Sequence, residues 1–201
     1  MILKLSPWIK KGFIYSITSH SVNSKGERVS AREQLLRFKI TGNNTRDLVA
    51  VTNLRQSIEG DDKLRASIEE RSGENFNLDN LNIEDMAFHE ESEHLLLGLR
   101  NPLAANSSVI LTIVNSADMF ADNTGPISGE PILLDMGGGI RALSFDLVLE
   151  TFLLVNEIDS ENGKKVSQLW TWSGSSTDAP LPLTLSAIIN LDNVESLPAP
   201  P

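Results

Sequence analysis

Cysteine is absent from this 201-residue chain. Disulfides, thiolate metal sites and a cysteine nucleophile are thereby excluded. Aromatic residues are scarce at 5%, with a single tyrosine, and there are only three histidines. Positive charge is in deficit: 17 Lys and Arg face 27 Asp and Glu, for a net charge of −10. Phosphate binding needs clustered cations, so no nucleic-acid partner is expected. Long apolar runs are missing as well. Stretches such as Leu95–Leu97 and Val109–Val114 fall far below the roughly 20 residues that carry a helix across a bilayer, so no membrane partner is expected. The opening MILKLSPWIKKGFIYSI has no apolar core followed by a small-residue cleavage site. A cytoplasmic location is favoured on that ground, although the compartment is otherwise open. There is no GxSxG nucleophile elbow. Gly137-Gly138-Gly139 lacks the strand, lysine and helix context of a phosphate loop and reads as a connector.

What the chain does have is a repeat. Residues 83–100, IEDMAFHEESEHLLLGLR, align without a gap on residues 140–157, IRALSFDLVLETFLLVNE. Ile83 meets Ile140, Met86 meets Leu143, and Phe88 meets Phe145, a step of 140 − 83 = 57 residues. A third start, Asn193-Val194-Glu195-Ser196, follows with Val194 opposite Ile140. A period near 50 built from strands points to propeller blades. The expected fold is all-β: a partial β-propeller of about three antiparallel blades, one domain over residues 1–201. Closed propellers have four to eight blades, so a fragment or a self-associating piece is expected.

Within this frame, Phe13–Ile17 and Leu35–Ile40 read as paired strands. Residues 46–72 read as a helical insertion. Leu54 and Ile58, then Leu64 and Ile68, stand four apart, with Asp61 as a cap and Gly73 as a stop. Asn82–Phe88, His94–Leu99, Ser108–Val114 and Pro131–Leu134 read as one set of four strands. Ile140–Phe145, Thr151–Asn156, Val166–Trp172 and Pro180–Asn190 read as the next. Leu95 through Leu97 are continuously apolar, which suits a strand buried on both faces.

Tyr15–Ser21, Leu36-Arg37-Phe38, Asn53-Leu54-Arg55, and the NIE…LLLGLRNP block of residues 82–102 together resemble, in order, the family catalogued as domain of unknown function 3616. The resemblance covers about residues 12–196. It implies a propeller related to esterase-like and phytase-like propellers, and it carries no established activity. The position after Glu84 is commonly glycine in that pattern and is Asp85 here. Arg141 stands where the second unit would have glutamate.

Glu84 and Glu195 occupy matching positions at the start of inner strands. Two carboxylates there could hold calcium, which could polarise an ester or a phosphate. Each could instead accept backbone N–H groups between units. Arg100 and Glu157 match at the end of the second strand, and Arg141 matches Glu84. These charges allow an anion-binding mouth or an ion-pair network between units. His20, in Thr18-Ser19-His20-Ser21, has the makings of a general base or a metal ligand, or of a structural loop histidine. His89 and His94 flank an acidic turn and are expected in solvent. Asp118, Asp122 and Asn123 offer oxygen ligands without the spacing of an EF-hand. No cofactor other than calcium is suggested. Two functions follow: a module binding a small molecule or protein across the channel face, and a metal-assisted hydrolase of phosphate or other esters.

Overall fold

The computed structural model describes residues 9–10, 12–89, 91–122, 124–159 and 163–184. The described chain forms three four-stranded antiparallel sheets, each paired in chain order. The first holds β1 (Ile9–Lys10), β2 (Phe13–Ile17), β3 (Leu35–Thr41) and β4 (Asn44–Val51). Gly42, at φ +58°, opens the two-residue β3–β4 turn, where a hairpin needs a positive φ. The helical segment is therefore shorter than residues 46–72. Residues 46–51 belong to β4, which is mostly exposed and runs along the sheet edge.

Helices α1 (Leu54–Glu59) and α2 (Asp62–Ser72) follow. Asp61 caps α2, its Oδ1 accepting from the Leu64 N–H at 3.0 Å, and Gly73 ends it at φ +74°. Their stripe of Leu54, Ile58, Leu64 and Ile68 is buried, so the pair packs into the core rather than across a surface.

The middle sheet holds β5 (Asn82–His89), β6 (His94–Asn101), β7 (Ser108–Ile113) and β8 (Ile132–Leu134). A short helix, α3 (Ser116–Ala121), which the sequence did not suggest, interrupts the β7–β8 connection. The third sheet holds β9 (Gly139–Asp146), β10 (Thr151–Asp159), β11 (Lys165–Trp172) and β12 (Leu181–Leu183). Residues 185–190 of the last expected strand lie outside the described residues.

The middle and third sheets pair in one register. Met86 faces Leu97 and Phe88 faces Leu95; 57 positions on, Leu143 faces Leu154 and Phe145 faces Phe152. Alternation then sends side chains two ways. Met86, Phe88, Leu95, Leu97, Leu111 and Ile113 point into a core shared with the first sheet and helices α1 and α2. Ala87, Leu96 and Ile110 point into a second core, filled from the third sheet by Leu143, Phe152, Leu154 and Trp172. The middle sheet is thus buried on both faces, which is why Leu95, Leu96 and Leu97 are all apolar.

Polar contacts join the sheets side by side. The Ile83 N–H donates to the Ser19 carbonyl at 2.9 Å. The Leu143 N–H donates to Asp85 Oδ2 at 3.0 Å. Strands β5 and β9 start at one end of the stack. At the opposite end, His89 from the top of β5 stacks on Phe152 at the top of β10, with ring centroids 5.6 Å apart. The hairpin turns of both sheets therefore share that tip end.

Candidate functional site

The site is at the end where β5 and β9 begin. Pairing of β5 with β6 slips at residue 84, and pairing of β9 with β10 slips at residue 141. Glu84 and Arg141 are thus the extra residues of two β-bulges at matching places. A bulge frees one residue from the ladder and re-aims its side chain. Here it aims both toward the strand ends that carry Arg100 and Glu157.

Four of the expected residues meet there. Arg100 Nη1 is 3.7 Å from Glu84 Oε1, and its Nη2 is 3.5 Å from Glu157 Oε1. Arg141 Nη1 donates to Glu157 Oε2 at 3.1 Å. Lys165 adds contacts to Glu157 at 3.6 Å and to Asp159 at 3.1 Å. Asn82, with its amide oriented as its neighbours require, donates to the Ser19 carbonyl and to Glu84 Oε2. Glu84 and Arg141 are buried, while Arg100 is half-buried and Lys165 is exposed.

The polarity inverts from one unit to the next. In the middle sheet the bulge is acidic and the strand end basic; in the third sheet the bulge is basic and the strand end acidic. An exact repeat would place a second arginine at position 157, against Arg100. The inversion turns that contact into an attraction and lets Arg100 span the two sheets.

Gly137 and Gly138 end the connector from β8 to β9, and Gly139 opens β9. A Cβ on Gly138 would overlap the Glu157 carbonyl oxygen, and one on Gly139 the Arg100 carbonyl oxygen. The glycines thus let the connector lie against the ends of β6 and β10. Ser108 Oγ fixes it further by donating to the Gly138 carbonyl. Outside it opens a cavity of about 390 Å³. Asn82, Arg100, Asn101, Glu157 and Lys165 supply its polar lining.

His20 does not join this cluster. It is fully buried at φ +50°, and its Nδ1–H donates to the Thr18 carbonyl at 2.6 Å. Burial holds its pKa down at about 4, overcoming the opposing pull of the Thr18 hydrogen bond and of Glu33. Its carbonyl accepts from Arg55, which also reaches Glu59 at 2.6 Å and the Asp79 carbonyl at 3.2 Å. A neutral, enclosed imidazole among backbone partners is a structural part of the joint between the first and middle sheets.

The other expected ligands are dispersed. Glu195 lies outside the described residues, as does Asn123. Among the described residues no group of three or more His, Asp or Glu side chains is placed to hold a metal ion. Asp118 lies on α3 and Asp122 just after it. His89 and His94 are half-buried rather than solvated, and His89 Nδ1 bonds Ser92 Oγ at 2.6 Å. The sequence reading missed Lys165 and Asp159, which the β10–β11 hairpin brings in. It noticed Asp85 only as a departure from a glycine. In the fold, Asp85 is the buried link to β9. The chain matches no family model, and no curated protein matches it.

Proposed function

We propose that the three sheets are successive blades of a propeller-type unit and that the chain is a binding module. Its binding face is the charged end of the stack. The matching β5–β6 and β9–β10 registers support the blade reading. So do the glycine connector, which returns the chain from the outer β8 to the inner β9, and the placing of β5 beside β9. The family resemblance drawn from residues 12–196 belongs to the same proposal.

The observation that carries the binding reading is the mutual engagement of the charges. Glu84 and Glu157 are held by arginines, which leaves them poorly placed to gather a cation. The outermost groups, Arg100, Lys165 and Asp159, present both signs to solvent beside the cavity. Such a surface suits a small molecule or protein segment that itself carries both charges.

Glu84→Gln separates this from metal-assisted hydrolysis. On the binding reading, calcium shifts the melting temperature of neither wild type nor variant, and neither turns over p-nitrophenyl esters or phosphates. Calcium stabilisation and turnover in the wild type, both lost in the variant, would establish the hydrolase instead. A joint Arg100→Ala, Lys165→Ala change should abolish ligand binding while the melting temperature stays within a few degrees.

A further inference from the structure

The arginines of this chain differ in how fully their donors are used. Around a cavity of about 720 Å³ beside α1 and α2 they are spent. Arg28 forks onto Glu33 at 2.7 and 2.8 Å, and Arg65 donates to the Glu59 carbonyl at 2.7 Å. Arg100 is different. Its guanidinium stands 3.7 Å from Glu84 and 3.5 Å from Glu157, and it makes no hydrogen bond among the described residues. A guanidinium carries five N–H donors in a planar fork that matches a carboxylate. The side chain is 35% exposed and lines the 390 Å³ cavity of the charged end. Its donor capacity is therefore open to a ligand.

Asp159 is the counterpart of opposite sign. Its side chain is 74% exposed and lines the same cavity. Its partner, Lys165 Nζ at 3.1 Å, is shared with Glu157 at 3.6 Å. An ionised carboxylate has about four lone-pair sites, so Asp159 keeps acceptor positions in hand. Glu157, between the two, is already taken by Arg141. A simple anion on Arg100 would face Glu157, and a simple cation on Asp159 would face Lys165. A ligand that carries both charges satisfies both ends.

The spacing limits that ligand. From Arg100 Nη2 through Glu157 Oε1 and Lys165 Nζ to Asp159 Oδ1 the steps are 3.5, 3.6 and 3.1 Å, so the ends stand at most 10.2 Å apart. A ligand bridging that span with a hydrogen bond of about 2.9 Å at each end has its charged atoms at most about 4 Å apart. An ammonium and a carboxylate on one carbon meet this limit. An extended ω-amino acid, or a peptide charged only at its two ends, does not. Leu103 and the Gly137, Gly138 and Gly139 backbone add no charge to the lining, so the rest of the ligand is uncharged. The cavity lies toward the small end of the range for small-molecule sites.

We propose that this cavity binds a free α-amino acid with an uncharged side chain, its carboxylate on Arg100 and its ammonium on Asp159. The assignment rests on the reading of the charged end as a binding face and narrows the ligand to one class.

Isothermal titration of the full chain with each uncharged L-amino acid, carried into the millimolar range, tests this. At least one binds. Its Nα-acetyl and α-carboxamide forms bind at least tenfold more weakly, because each lacks one of the two charges. Arg100→Lys keeps the charge and loses the fork, and Asp159→Asn keeps the shape and loses the charge. Each weakens the free amino acid at least tenfold, and both side chains are solvent-accessible, so melting temperatures stay near wild type. A capped form that binds as tightly as the free amino acid overturns the proposal. So does undiminished binding in either folded variant; undiminished binding in both moves the site off the charged end and overturns the binding-face reading as well. If no amino acid binds, the proposal falls. The tripeptide Gly-Leu-Gly then addresses the broader reading, which stands if the wild type binds it and the joint Arg100→Ala, Lys165→Ala variant does not.

Discussion

The middle and third sheets share a pairing register, yet they occupy different environments. In β6 the run Leu95-Leu96-Leu97 is buried throughout. In β10 the matching Phe152 and Leu154 are buried, while Leu153 between them is only half-covered. The middle sheet has a packed neighbour on each face, whereas the face of the third sheet that carries Leu153 is closed at Ala142 and Val155 but only half-closed at Leu153 itself. The register is a property of the strand pairs, but the apolar content of a strand is set by how many faces are covered. Position 85 makes the same point. Asp85 reaches from the middle sheet to Leu143 of the third, while its counterpart Ala142 bonds nothing by its side chain.

The largest test of this contrast is a charge at matching places. Leu97→Asp puts a carboxylate into a closed core and should cost more than about 4 kcal/mol, enough to unfold much of the population. Leu153→Asp should cost about 1 kcal/mol. Urea melts of the two variants measure the difference, and equal losses would erase the contrast.

The second test is acid, which should act first where the middle sheet meets the first. The value of about 4 for His20 lies below its ordinary 6.5. Between those limits the unfolded chain binds the extra proton, so stability is complete above about pH 6.5 and falls as the pH drops toward 4. The total loss is about 3 kcal/mol for this one group. The protection factor of the Ile83 amide, bonded to Ser19, should therefore fall over that range. His20→Asn, which tolerates positive φ, should flatten the response.

Asp85→Ala comes next. It strips a buried acceptor from the Leu143 and Met86 N–H groups and should cost about 2 kcal/mol. Faster amide exchange should appear along β9 and leave the joint with the first sheet protected. The smallest effect is expected from Glu157→Gln, which leaves Arg141 and Arg100 with weaker partners at a partly solvated site. About 1 kcal/mol should be lost, and less in high salt.

Much of the architecture was legible in the sequence because it is local. Strand alternation, the cap at Asp61 and the stop at Gly73 act within a few residues, and the repeat exposes the pairing of two hairpins. β4 was missed because an exposed edge strand reading NTRDLVAV has no buried face to impose alternation. α3 was missed because six residues without a side-chain cap leave little signal. At the site, the four charges could be read as matching positions. Their joining across two sheets could not, since Arg100 finds Glu157 only through packing. Likewise His20 is neutral because Arg55 and the strands around it exclude water, a consequence of residues far along the chain.

The paired bulges also restrict assembly order. A unit with an acidic bulge and a basic strand end attracts a neighbour of opposite polarity and repels one like itself. Such units fit together as dominoes do, by matching unlike ends, and a misplaced or swapped unit would meet like charge at its boundary. Glu84 and Arg141 spell that alternation in the two described sheets that carry the bulges. Charge here serves as a parity check on the order of the sheets.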